Sequence, residues 1–170
     1  MEYGELVRIM EEVHNKRLSG FNCAEGVLWG VTRSIGLDVP VSCITGFGGG
    51  IGGSGSVCGA LCGAIAAAGI YAGRTEPEDN EAKARCDAIS RAIVRGFVNE
   101  MGSQLCKEIL GYIPWNRPRS PGQPRQINPK CKQAVTVALE LAIREIKEAQ
   151  CRDARKSNQE LVAEDRSEEK

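Results

Sequence analysis

The stretch from Val57 to Gly73, VCGALCGAIAAAGIYAG, constrains the fold more than any other part of the chain. Gly59, Gly63, Ala66, Ile70 and Gly73 recur every three or four residues, which places small residues along one strip of a helix. Such a strip lets a second helix approach closely. The stretch is short for a membrane span and rich in Gly and Ala, so it reads as a buried central helix. Aromatic residues make up 5% of the chain, so the core around that helix must come from Ala, Val, Ile and Leu.

Other segments carry helical periodicity. Leu6, Met10, Val13 and Arg17 mark one face of a helix over about 5–18, with the Arg17 stem closing the face and Gly20 ending the helix. A second helix is expected over about 23–35, stopping at Gly36. The linker LDVPVSCITGFGGGIGGSGS then leads into the central helix, expected over 57–72. Ala82, Cys86, Ile89, Ile93 and Phe97 form the buried stripe of a helix over about 78–101. A short helix over 104–110 follows, then GYIPWNRPRSPGQPRQINP, which holds five of the seven prolines and cannot be helix or central strand. A last helix runs from Pro129 to about Arg155. The expected fold is therefore all-α: a single-domain bundle of five or six helices over residues 1–155, with a charged, disordered tail over 156–170.

Lys plus Arg and Asp plus Glu both number 22, so net charge is zero and nothing draws the chain as a whole to nucleic acid or an anionic membrane. The opening MEYGELVRIMEEVHNKRLSG is acidic and lacks an apolar block, unlike a secretory leader. A cytoplasmic location with no membrane insertion is the resulting expectation. Eight cysteines in such a chain suit metal binding or catalysis better than disulfide staples.

Four of those cysteines share a local context. Cys23 follows Asn22, Cys58 lies two residues after Ser56, Cys106 three after Ser103, and Cys131 three after Asn128 with Pro129 between. Asn and Ser are preferred helix caps and Pro suits the first helical position, so each cysteine falls in the first turn of an expected helix. The positive field there is expected to lower a thiol pKa, and thiolates bind soft metals and clusters. Of the rest, Cys86 reads as core, Cys151 as an exposed bystander, Cys43 as an extra ligand or resolving thiol, and Cys62, one turn after Cys58, as an extra ligand or a packing neighbour.

The run Asn22-Cys23-Ala24, FGGGIGG, Cys58-Gly59-Ala60-Leu61-Cys62-Gly63, Cys106 before Leu110-Gly111, and Cys131 resembles the redox-active family with the C…CGAxxG…C…C pattern (C_GCAxxG_C_C). It is similar also to the cysteine-bearing part of split-Soret cytochrome c. The resemblance covers the chain from about the first helix to residue 145. It implies that the characteristic cysteines are Cys23, Cys58, Cys106 and Cys131, that the role is redox, and that the cofactor is an iron–sulfur cluster. It implies too a redox partner protein, linked to a transporter. No C-x-x-C-H run occurs and His14 is the lone histidine, so covalent haem is unsupported and His14 is not expected as a ligand.

The Gly run from Gly48 to Gly55 lacks the flanking strand of a dinucleotide site and the Lys-Ser/Thr end of a P-loop. It reads better as backbone wrapped close to the cluster, with N–H groups of Gly52, Gly53, Gly55 and Gly59 donating to sulfur. Trp115, Arg117, Arg119, Arg125 and Lys130 in the Pro-rich loop suit a solvated connector, or a docking loop for a partner. The Gly-rich, partly apolar helices would also suit pairing into a homodimer. Electron transfer is the leading expectation; a thiol–disulfide oxidoreductase and a structural zinc module are the competing ones.

Overall fold

The computed structural model describes residues 3–116 and 126–168 and is all-α, a single bundle whose described residues form no strand. Six α-helices follow in order: α1 (Tyr3–Ser19), α2 (Cys23–Ser34), α3 (Gly59–Ala72), α4 (Asn80–Met101), α5 (Cys106–Leu110) and α6 (Pro129–Glu168). Short 3-10 helices occur at Val41–Phe47 and Pro114–Asn116. Helix α3 lies at the centre, packed against α2, α4 and α6, and α1 closes the remaining side against α2 and α6.

The small-residue strip of α3 explains its central place. A Cβ at Gly63 would stand 2.5 Å from the Ala24 carbonyl oxygen and 3.1 Å from the Leu28 nitrogen, so α2 lies backbone-close against α3 only because position 63 is bare. Ala60, Ala64, Ala67 and Ala68 are buried beside it, while Ile70, which shares the spacing, is exposed. Large side chains from the neighbouring helices fill the rest of the core, among them Phe97 and Ile93 of α4, Leu28 and Val31 of α2, and Leu139, Ile143 and Ile146 of α6. On α4, Ala82, Ile89, Ile93 and Phe97 are buried as the stripe predicts, and Cys86 packs half-buried against the core.

Helix boundaries follow local chemistry. Asp79 accepts the Ala82 N–H to start α4, and Gly102 and Gly111 end α4 and α5 with φ of 76° and 79°. Helix α6 continues to Glu168, past the end expected near Arg155. Residues 156–168 are rich in Glu, Gln, Lys, Arg and Ala, all strong helix formers, and no Gly or Pro interrupts them. No helix among the described residues is long and apolar enough to cross a membrane. Arg117, Arg119 and Arg125 of the Pro-rich loop lie outside the described residues.

Candidate functional site

The N-terminal ends of α2, α3, α5 and α6 bring the four selected cysteines to one place. Cys23, Cys58, Cys106 and Cys131 all line a single cavity of about 220 Å³, whose wall also includes Arg17, Asn22, Gly49, Ile109, Tyr112 and Ile127. Cys23 and Cys106 are the first residues of α2 and α5, Cys131 is the third of α6, and Cys58 is the residue before α3. Every cysteine among the eight is a free thiol.

Three devices position the four. Cys23 follows a complete capping box: the Asn22 side chain accepts the Ala24 and Glu25 N–H groups at 2.9 and 3.1 Å, and the Glu25 carboxylate accepts the Asn22 N–H at 2.7 Å. Two further bonds tie this cap to the 3-10 segment. Asn22 Nδ2 donates to the Thr45 carbonyl at 2.9 Å, and the Thr45 hydroxyl donates to Glu25 at 2.6 Å. Cys58 and Cys106 are set by an isolated antiparallel bridge between Val57 and Leu105. The Cys58 N–H donates to the Gln104 carbonyl at 2.8 Å and the Cys106 N–H to the Ser56 carbonyl at 2.7 Å. Cys131 follows Asn128, whose side chain accepts the Lys130 N–H at 2.9 Å.

Two of the four expected caps therefore differ from the sequence reading. Ser56 and Ser103 do not cap α3 and α5; Cys58 and Leu105 occupy those positions without a side-chain cap, and Ser103 instead accepts the Leu105 N–H. The long-range backbone pairing at Val57 and Leu105 does the positioning, and local sequence cannot display a contact between segments 48 residues apart.

The glycine loop shapes the site, and much of its own hydrogen bonding is internal. Residues 49 to 53 all have positive φ, including Ile51 at 59°, so the loop winds left-handed and turns its amides inward on itself. The N–H groups of Gly52, Gly53 and Gly55 donate to the carbonyls of Gly46, Gly48 and Gly49. The expectation that these three amides serve sulfur is thus corrected: their bonding capacity is already used. Gly59 acts by absence of bulk, since a Cβ there would lie 2.7 Å from Cys23 Sγ and 2.6 Å from the Phe47 carbonyl oxygen. Gly50 similarly gives way to Cys106, whose Cβ would be 2.6 Å from a Cβ at position 50. The loop underlies Trp115, which is exposed and whose N–H donates to the Gly53 carbonyl at 3.1 Å.

The electrostatics also depart from expectation. Helix starts were expected to lower the thiol pKa, yet Cys58 is pushed up to about 12, by burial first and by neighbouring Cys23 second; the Ala60 and Leu61 amides near its sulfur oppose this without prevailing. Cys106 is pushed up to about 12 by burial, then by Cys58, Cys23 and Cys131. Cys131 is raised by burial and by Cys23, with Arg17 pulling the other way. The mutual influence of the four sulfurs places them within electrostatic reach of one another. Removal from water outweighs the partial charge of a helix end when several thiols share one pocket.

The remaining candidates separate by position. Cys62 is half-buried, its sulfur 4.0 Å from the Val57 carbonyl, and burial with nearby Cys23 raises its pKa to about 11. It is not among the described residues that line the cavity. Cys43 and Cys151 are exposed and away from the cavity. His14 borders a neighbouring groove between α1 and α6. Arg17 was read only as a stem closing the α1 face. Its charged end borders the cysteine cavity, and the one sequence signal was a cation on an otherwise apolar stripe.

A family profile described as "Putative redox-active protein (C_GCAxxG_C_C)" matches residues 21–146, which takes in all four cavity cysteines. The chain belongs to the C_GCAxxG_C_C family. No curated protein and no solved structure matches it significantly. The C_GCAxxG_C_C motif now has a physical reading in this chain. Cys58 faces the cavity, Gly59 clears space for the Cys23 sulfur, Ala60 is buried in the core, and Gly63 admits the α2 backbone.

Among the described residues, no three Cys, His, Asp or Glu side chains are placed to clasp one metal ion. Cys23, Cys58, Cys106 and Cys131 share the lining of one cavity. A donor set made only of cysteines is a soft one, of the kind that takes zinc or an iron–sulfur group.

Proposed function

We propose that this redox-active family member carries an iron–sulfur cluster on Cys23, Cys58, Cys106 and Cys131 and serves in electron transfer. The observation that carries the reading is the convergence of four cysteines, from four helix starts, on one cavity of about 220 Å³. Bound there, the cluster would supply reversible one-electron chemistry. The chain's own residues would do the rest. The four sulfurs would hold the group. Ile109, Leu110, Ile127 and Ala134 would keep water from it, and the Asn22–Glu25–Thr45 network would fix the Cys23 sulfur in place. The exposed Trp115, next to the glycine loop, would offer a surface for a redox partner.

The test is anaerobic reconstitution with iron and sulfide, followed by metal and sulfide analysis and a visible spectrum. A brown protein with matched iron and sulfide, lost in each Cys→Ser variant, is the expected result. A colourless protein that takes up zinc alone would establish a structural zinc module. A metal-free protein showing a redox-dependent two-proton mass change at a cysteine pair would establish the thiol oxidoreductase.

A further inference from the structure

The cysteine cavity holds a charge that the four sulfurs alone leave unexplained. Arg17 of α1 is 5% exposed, makes no ion pair among the described residues, and keeps its Nε buried without a hydrogen-bond partner. Its NH1 donates weakly, at 3.4 Å, to the Cys131 carbonyl. Space has been made for it: a Cβ at Gly26 of α2 would stand 3.1 Å from the Arg17 Cγ. A buried guanidinium without an anion is strongly unfavourable, so a chain that keeps one keeps it beside a negative group.

The surroundings offer one candidate. Among the described residues, no Asp or Glu lines the cavity. The Glu25 carboxylate is occupied by the Asn22 N–H and the Thr45 hydroxyl. Glu11, His14 and Lys132 border a separate groove that Arg17 also lines, and the one carboxylate there shares it with a lysine. Among the described lining residues the acidic groups are the four cysteines and Tyr112, and of these only the cysteines are soft donors that become anionic on ligating a metal or cluster.

We propose that Arg17 is the resident counter-charge of the four-cysteine centre, its guanidinium offsetting the negative charge that the site acquires when its thiols ligate. This rests on the cluster reading above. Arg17 is a positioning and tuning residue, not a ligand, and acts through charge.

The experiment compares the full-length protein, reconstituted anaerobically with iron and sulfide, with Arg17→Met, Arg17→Gln and Arg17→Lys. The readouts are the midpoint potential from a dye-mediated titration and the half-life of the visible band under a chelator. Met and Gln should shift the potential to lower values, since an electron then enters a more negative site, and should shorten the half-life several-fold. Lys, which keeps the charge, should restore both toward wild type. A purely structural arginine would lower the melting temperature and leave the potential unmoved, and that result overturns the proposal. If Met fails to fold, the Gln and Lys pair carries the comparison. A wild-type protein that takes up no iron and sulfide defeats the cluster reading and this proposal together. A wild-type protein that loads, with variants matching its potential, defeats this proposal alone.

Discussion

Gly59 of α3 lies against the sulfur of Cys23 on α2: a Cβ at position 59 would stand 2.7 Å from Cys23 Sγ, closer than real Cβ atoms come to a neighbour. The glycine following the motif cysteine is therefore part of the site's shape. Gly59→Ala should displace the Cys23 sulfur or the Phe47 backbone, destabilise the fold by about 1–3 kcal/mol, and reduce uptake of iron and sulfide. Gly69→Ala, in the same helix with nothing within 4 Å of its Cβ, should instead stabilise by about 0.5–1 kcal/mol. Urea melts of the two variants test the contrast, and equal effects would mean that helix propensity, not the sulfur contact, governs position 59.

The capping box at Asn22 links the start of α2 to the 3-10 segment through Thr45. Asn22→Ala should cost about 1 kcal/mol and speed hydrogen exchange at Ala24 and Glu25, whose N–H groups it orphans. Exchange rates unchanged at those two amides would show that the cap is not what holds Cys23.

Thiol accessibility is divided by the fold. Cys43 and Cys151 are exposed, whereas Cys58 and Cys106 are buried with pKa values pushed to about 12. Since the thiolate is the reactive form, iodoacetamide at pH 8 should modify Cys43 and Cys151 rapidly and Cys58 and Cys106 only on unfolding. Peptide mass spectrometry resolves the order. Early labelling of Cys58 would contradict the buried site.

The same burial gives stability a pH dependence of definite sign. Unfolded, the Cys58 and Cys106 thiols release their protons near the ordinary value of 9.0; folded, they keep them to about 12. Below pH 9 both states are protonated and these groups add no slope. Between about 9 and 12 the unfolded chain binds fewer protons, so stability falls as pH rises. Urea midpoints should decline above pH 9 in the metal-free protein, and the decline should flatten in a Cys58→Ser, Cys106→Ser variant.

Much of this was legible in the sequence, for identifiable reasons. The strip Gly59, Gly63, Ala66 and the stripe on α4 are periodic signals, and periodicity survives without knowledge of tertiary contacts. Asn22 and Asn128 act locally on the residues just after them, so their roles at Cys23 and Cys131 could be read from neighbours. What escaped depends on distance along the chain. The Val57–Leu105 bridge pairs remote segments, and it, not Ser56 or Ser103, sets Cys58 and Cys106. The sign of the thiol pKa shifts depends on total burial, which first-turn placement cannot reveal. The glycine loop was recognisable as special backbone. That its amides are consumed by Gly46, Gly48 and Gly49 emerges only from the fold. Arg17 fits a helical stripe equally well as a solvated stem or a buried charge, and only the cavity beyond it distinguishes the two.

The central claim is that four sulfur atoms from Cys23, Cys58, Cys106 and Cys131 surround one polynuclear iron centre. Iron K-edge X-ray absorption on the anaerobically reconstituted protein tests it most directly. The account predicts a first shell of sulfur alone together with a short iron–iron scattering path, both lost when any of the four cysteines is replaced by serine. A first shell of oxygen or nitrogen, or iron with no iron neighbour, would contradict it.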